Sequence, residues 1–339
     1  MSSGNQEYCV DQEITDFFKK TSAARSACDE RAKELVGGKP TPVAVQGVCS
    51  YSVYAGPSDD SVVQFRLKSL QLRTETARLT RYIYGSLVPH VSFEGQIGEE
   101  IEGKEPLYIY VMSRVRGISH LDFILAHDFP QNSPENFAWR KNLIADVTRF
   151  FALAWKNPQD VDQTYREHLR HRHETNLRLL LTSLPDRFHP IKKSLDSMLA
   201  IYSLPMVVLH KDFGTCNIMV DSASCHLVGV IDWAEAEIGP FGLNMHSLQP
   251  LMSMFHLKHG YIRYDDYDIL EETFWHSFRK EIGGLGVVGL LLSRGFTSRL
   301  ANMPKPESIQ DDEIGAYNMR HLDGLLVNPA TRFADVALQ

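Results

Sequence analysis

Four residues of this chain stand at spacings that suit phosphoryl transfer. His210, Asp212 and Asn217 lie within Val207-Val208-Leu209-His210-Lys211-Asp212-Phe213-Gly214-Thr215-Cys216-Asn217-Ile218-Met219, and Asp232 follows Asn217 by fifteen residues in Val230-Ile231-Asp232-Trp233. Moving a phosphoryl group asks a protein mainly for positioning and charge neutralisation: a carboxylate that orients the acceptor and takes its proton, and oxygen ligands for Mg²⁺. Asp212 suits the first task. Asn217, through its amide oxygen, and Asp232, through its carboxylate, make a sensible pair of metal ligands, because Mg²⁺ prefers carboxylate and carbonyl oxygens together with phosphate. His210 precedes Asp212 by two residues, so it points to the same side of the strand end and can buttress the loop. Taken alone, His210, Asp212 and Asn217 also suit an ordinary polar turn. The ordered addition of Asp232-Trp233 between apolar runs favours the chemical reading.

These residues need elements to hold them. Val207–Leu209 and Leu227–Ile231 are apolar enough to be short strands, one delivering His210 and the other Asp232. Upstream, residues 1 to about 36 have helical spacing, with Ile14, Phe17 and Phe18 on one face, until Val36-Gly37-Gly38-Lys39-Pro40-Thr41-Pro42 breaks the pattern. The runs 42–47, 50–55 and 61–66 are β-rich, the latter two joined by the turn signal Gly56-Pro57-Ser58-Asp59-Asp60, which predicts an antiparallel meander. A helix is expected over 74–84 and another apolar strand over 106–112. Beyond Gly117 the texture becomes helical. Ser133 can cap a helix with Pro134 at its first position and Leu143, Val147, Phe150, Phe151 and Ala154 as its apolar stripe. Residues 163–184, 191–202 and 265–282 continue that pattern. The expected fold class is α+β: a helical extension over 1–39, a small antiparallel-sheet lobe over 40–113 and a larger, mainly helical lobe over 114–339. There is no internal repeat.

Length and composition agree with such a division. At 339 residues and 43% hydrophobic, the chain can bury one large core or two moderate ones. The formal net charge is −7 and the basic residues are scattered, which argues against nucleic acid and anionic membranes and for a small-molecule partner. The first residues lack the apolar core of a signal peptide, and the longest apolar run, Val287 to Leu292, is too short for a bilayer, so a soluble, cytoplasmic protein is expected. The five cysteines, Cys9, Cys28, Cys49, Cys216 and Cys225, form no CxxC pair and have no histidine at ligand spacing, so neither a disulfide scaffold nor a zinc site is expected. Cys216 is read as a small filler residue in a crowded loop, since no positioned base accompanies it.

The arrangement resembles the aminoglycoside and choline kinase group, the phosphotransferase-enzyme family with a protein-kinase-like fold, whose catalytic loop reads H-x-D-x-x-x-x-N and whose metal motif reads I-D-W. His210, Asp212, Asn217, Asp232 and Trp233 match it in identity and order. Asp212-Phe213-Gly214 spells the protein-kinase metal motif, but it follows His-Lys directly and occupies the catalytic loop, which leaves Asp232 as the metal aspartate. The fuller wording, His-Lys-Asp-Phe-Gly-Thr-Cys-Asn-Ile-Met with Ile-Asp-Trp-Ala-Glu-Ala-Glu, looks like a fungal branch of the family, some of whose members accompany natural-product gene clusters. The resemblance covers roughly residues 40 to 250. It implies a two-lobed kinase-like fold and ATP with Mg²⁺, and leaves the acceptor open; a hydroxyl of a small metabolite is expected.

In the small lobe the resemblance implies a phosphate-covering loop and a basic residue braced by a helix carboxylate. Gly47-Val48-Cys49-Ser50-Tyr51-Ser52 lies between two strand candidates, so backbone N–H groups around Gly47 and Ser50 can face phosphate, although a plain hairpin turn reads equally well. Arg66 stands where the family places its basic residue and Glu75 where its partner would be, with Lys68 as a rival; both also suit solvated surface charges. Val111-Met112-Ser113-Arg114 resembles the lobe-connecting hinge, Met112 and Ser113 meeting the adenine. Two departures stand out. Lys211 fills a slot often held by Gly or Arg, and Asn244 stands where the family usually carries a second Asp, bringing no charge to orient the loop. The alternative function is therefore a catalytically silent nucleotide-binding regulator. Glu235 and Glu237 could meet a cationic acceptor or simply face solvent. The run Tyr261, Tyr264 and Tyr267 with Asp265, Asp266 and Asp268 could line an acceptor pocket or pack a loop onto a helix start.

Overall fold

The structure is a computed structural model, and it describes residues 8–127, 131–277, 285–297 and 307–332. Among these, one compact unit takes in residues 8–81 and 89–115, and a second takes in 82–88 and the chain from 116 onward. The first is organised around an antiparallel sheet and the second is mainly helical, as expected from the sequence.

In the first unit, helices α1 (Val10–Phe18) and α2 (Arg25–Val36) precede strands β1 (Thr41–Pro42), β2 (Ser50–Ala55) and β3 (Ser61–Leu67). Helix α3 (Thr74–Tyr84) and strands β4 (Val91–Ile97) and β5 (Leu107–Ser113) follow. The strands order as β1-β2-β3-β5-β4, every neighbouring pair antiparallel. Alternate residues face one side, so Tyr51, Val53 and Ala55, then Val63, Phe65 and Leu67, then Leu107 and Ile109 enter a single core with Ile14, Phe17, Cys28 and Ala32 of the two helices. The aromatic pair of α1 therefore serves the sheet directly.

Three local expectations change here. The helical stretch before residue 36 is two helices, because residues 20–22 leave the helix to pair with Glu105: Thr21 Oγ1 donates to its carbonyl at 2.8 Å and Ser22 N–H at 3.2 Å. The strand predicted over 42–47 ends at Pro42. Beyond it, the buried Gln46 side chain takes over the pairing, donating to Val43 O at 3.0 Å and Ser52 O at 2.9 Å and accepting from Ser52 N–H at 2.9 Å. Strand β4 has no counterpart in the sequence reading, since Gly95 at φ +101° sits in a register shift between Phe93 and Gln96 and breaks the alternation.

The second unit opens with β6 (Ile118–Ser119) and the helices α4 (His120–Ala126), α5 (Pro134–Lys156), α6 (Gln163–Ser183), α7 (Pro190–Asp196) and α8 (Met198–Tyr202). Ser133 caps α5 by accepting from Asn136 N–H at 3.2 Å, with Pro134 in the first turn, and the whole predicted stripe from Leu143 to Ala154 is buried. Strands β7 (Met206–Leu209), β8 (Ile218–Val220), β9 (Leu227–Val230) and β10 (Glu237–Pro240) come next, then β11 (Ser253–His256) and β12 (Gly260–Arg263). They pair antiparallel as β6-β8-β9, β7-β10 and β11-β12. Helices α9 (Tyr267–Ser277), α10 (Leu285–Arg294) and α11 (Ala316–Leu322) complete the unit. The end of the helix predicted over 265–282 lies outside the described residues. Among those residues, no helix is long and apolar enough to cross a membrane.

Candidate active site

His210 leaves the end of β7 and is almost fully buried, at 1% exposure. Its Nε2 meets the Ile231 carbonyl at 2.8 Å, so that nitrogen carries the proton. Burial pushes the imidazole below its ordinary pKa, against the pull of the Ile231 carbonyl, Asp232 and Asp212 in the other direction. A neutral ring fixed in this way ties the catalytic loop to the strand end that carries Asp232.

Below it lies an aromatic floor. Phe213, buried, stacks on Phe150 of α5 at 5.2 Å and meets Phe151 edge-on at 5.5 Å. Trp233 donates Nε1–H to Val230 O at 2.9 Å and packs against His210 at 4.7 Å and Tyr84 at 5.1 Å, while Tyr84 donates its hydroxyl to Val208 O at 3.0 Å. Phe213 of the apparent Asp-Phe-Gly is thus a core anchor for the loop.

The turn between β7 and β8 presents Asp212 to solvent and closes on Asn217. Asn217 Nδ2 donates to both the carbonyl and Oδ2 of Asp212, each at 2.9 Å. Both partners are acceptors, so the amide nitrogen must face Asp212 and Oδ1 must turn away. At the other end of the hairpin pair, Ile231 N–H donates to Asn217 O at 2.9 Å and Val230 pairs with Ile218, which brings Asp232 beside Asn217. Asp232 is exposed, makes no hydrogen bond or ion pair among the described residues, and holds φ +59°. Left-handed backbone at a non-glycine residue costs about 1 kcal/mol and is found where the surroundings impose it, often at functional sites. One free amide oxygen and one free carboxylate at neighbouring backbone positions fit Mg²⁺, which completes its octahedron with water and phosphate oxygens. Among the described residues no cluster of three His, Cys, Asp or Glu side chains could hold a metal ion.

Around the loop, Glu237 of β10 pairs with Arg172 of α6 at 2.8 Å and with Lys211 at 3.7 Å. Burial raises the carboxyl's proton affinity, but Lys211 and Arg172 outweigh it and hold the pKa below the usual value. Glu237 is therefore occupied in a structural ion pair, whereas Glu235 is exposed. Sequence reasoning missed Arg172, which carries no local signal and reaches the loop only through the α6–β10 packing. It also missed the 3.0 Å bond from Leu121 N–H to Thr215 O, which ties the first turn of α4 to the catalytic loop. Asn244 is buried ahead of a 3-10 turn and makes no side-chain cap. Tyr261 hydrogen-bonds His321 at 2.6 Å, Tyr264 lies under the Arg140 guanidinium at 4.2 Å, Tyr267 donates to Gln249 at 3.0 Å, and Asp266 pairs with Arg140 at 3.0 Å. These four residues are packing groups of the second unit.

In the first unit the register places Ser50 directly opposite Arg66, next to the turn closed by the 3.3 Å bond from Ser50 N–H to Gly47 O. The structure thus brings Gly47, Ser50 and Arg66 together. Glu75 does not join them. Arg66, buried, donates Nε–H to Leu70 O, because a 3-10 turn over Lys68–Leu70 folds that carbonyl back onto it, while Glu75 sits exposed in the first turn of α3, where a negative charge suits the helix dipole. Lys68 pairs with Glu100 at 2.9 Å. Met112 lies inside the sheet, paired on both sides, and the N–H groups of Ser113 and Arg114 are already donated to His90 and Asp60 at 3.0 and 2.9 Å. Those two donors are therefore not free for a base, unlike the hinge expected from the resemblance.

Comparison with solved structures finds likeness over four-fifths of the chain. A macrolide 2'-phosphotransferase, MphH, from Brachybacterium faecium shares 12% identity, covers 80% of this chain and 88% of its own, and has a TM-score of 0.49. Choline kinase LicA from Streptococcus pneumoniae shares 10% identity over 79% of this chain and 86% of its own, at a TM-score of 0.44. Aminoglycoside phosphotransferase APH(3'')-Id from Streptomyces rimosus, solved with ADP and streptomycin, shares 15% identity over 79% and 97%, at 0.44. Comparison with curated protein sequences gave no match. The family model described as the Phosphotransferase enzyme family matches residues 59–243, which is more than half of the chain and includes the catalytic loop and Asp232; the chain belongs to that family.

Proposed function

We propose that the protein is an ATP- and Mg²⁺-dependent kinase that phosphorylates a hydroxyl of a small metabolite. The observation that carries this reading is the double hydrogen bond from Asn217 to Asp212, which turns the amide oxygen outward beside the unpartnered Asp232 carboxylate. In this reading Asp212 orients the acceptor hydroxyl and takes its proton, Asn217 Oδ1 and Asp232 hold Mg²⁺, and neutral His210 keeps the two loops in register. When bound, Mg²⁺ with the nucleotide supplies the phosphoryl group and neutralises its charge. Arg66, beside Gly47 and Ser50, is the candidate for the nucleotide phosphates, held by the Leu70 carbonyl rather than by Glu75. The wording of the two motifs supports a place in fungal natural-product metabolism.

The test is thermal melting of the whole protein with ATP and GTP, with and without Mg²⁺, followed by a metabolite screen for turnover. A rise in Tm that needs both nucleotide and metal and is lost in Asp232→Ala is expected. No shift with either nucleotide and no turnover would overturn the proposal. Buried, uncharged Asn244 favours a second reading, a nucleotide-binding regulator without turnover. It predicts that the nucleotide shift persists while Asp212→Ala leaves cellular function unchanged.

A further inference from the structure

Away from the catalytic loop, α4, α5 and the loop before α9 enclose a cavity of about 20 Å³, lined by His120, Trp139, Arg140, Cys225, Leu251 and Tyr264 among others. Two of these lining residues each carry a buried polar atom with no hydrogen-bond partner among the described residues, Nδ1 of His120 and Nη2 of Arg140. The other two nitrogens of the Arg140 guanidinium are hydrogen-bonded. Nε donates to the two Asp266 oxygens at 3.0 and 3.1 Å and Nη1 to Gln131 O at 2.9 Å. Leaving a buried donor or acceptor unpaired costs about 1–3 kcal/mol each, which makes two such atoms on one small cavity a demand for a specific occupant.

We propose that this cavity is a binding site for one water molecule, which accepts from Arg140 Nη2–H and donates to His120 Nδ1. A buried water needs roughly 10–15 Å³ and at least two polar partners, and both are supplied. Charge selects against an ion: Asp266 already compensates Arg140, and burial keeps His120 neutral with its pKa pushed down to about 4. The water joins α5 to the first residue of α4. The next residue, Leu121, donates its N–H to Thr215 O of the catalytic loop, so the hydration site braces the loop from behind.

A crystal structure of the full chain at better than about 2 Å tests this directly. Density for one water within hydrogen-bond distance of both atoms is expected. A cavity without that water, a larger ligand, or direct contact between the two side chains would overturn the proposal. Independently, magnetic relaxation dispersion of water nuclei counts long-lived internal waters, and His120→Phe, which removes the Nδ1 acceptor, is expected to lower the count by one. An unchanged count in a folded variant argues against the site, and should that variant not fold, the wild-type density decides.

Discussion

Acid should destabilise this protein well before its carboxylates titrate. Burial pushes His120, His173 and His246 down to about 4 and His321 to about 3, from an ordinary 6.5. Two of them meet a phenol oxygen through Nδ1, His173 with Tyr202 at 2.5 Å and His321 with Tyr261 at 2.6 Å. In the unfolded chain these imidazoles take a proton near 6.5, whereas the native ones stay neutral until about 4 or below. The unfolded state therefore binds more protons throughout that interval, and stability falls as pH falls. At pH 5.5, one unit below the unfolded value, each site withdraws about 1.4 kcal/mol. Four sites withdraw about 5.6 kcal/mol, comparable with the whole stability of many domains at about 5–15 kcal/mol. Urea unfolding followed by tryptophan fluorescence at pH 7.5, 6.5 and 5.5 reads the effect as a steep fall in midpoint, in a window above the carboxylate range. A midpoint unchanged between 7.5 and 5.5, or folded-state resonances of His120, His173, His246 and His321 titrating near 6.5, would refute the reasoning.

Three further outcomes follow from the site and its supports. Asp232→Gly relieves left-handed strain of about 1 kcal/mol while adding a similar unfolded-state entropy, so Tm should stay within about 3 °C of wild type while any Mg²⁺-dependent nucleotide shift disappears; a retained shift would remove Asp232 from the metal site. Phe213→Ala empties the floor beneath the catalytic loop and should lower the free energy of unfolding by about 3–5 kcal/mol in urea titrations; a loss under about 1 kcal/mol would show that the ring does not anchor it. Asp266→Asn leaves the Arg140 charge buried without its counter-ion and should cost about 3–5 kcal/mol, part of which the double variant with Arg140→Met restores; equal stabilities of single and double variants would contradict that coupling.

The linear signature of the site is legible because it depends on neighbours in sequence: His210, Asp212 and Asn217 share one turn, and Asp232 sits at the matching end of the next strand pair. The same holds for α5, whose cap, proline and stripe are all local. What escaped depends on partners far along the chain or on irregular backbone. Gly95 hides β4 by breaking its alternation. Gln46 imitates a strand with one side chain, so the pattern over 42–47 overstates the sheet. Arg66 finds its acceptor in a carbonyl four residues on, a choice that side-chain type cannot reveal. Arg172 meets Glu237 across sixty-five positions.

The Asn217 amide also acts on the Asp212 carboxylate itself. With one amide hydrogen committed to Oδ2 at 2.9 Å, the two oxygens of that carboxylate are no longer equivalent. Oδ2 is hydrogen-bonded, and Oδ1 keeps its full complement of lone pairs. In the proposed reaction the acceptor hydroxyl would therefore meet Asp212 from the Oδ1 side, a side chosen by a neighbour five residues along the chain.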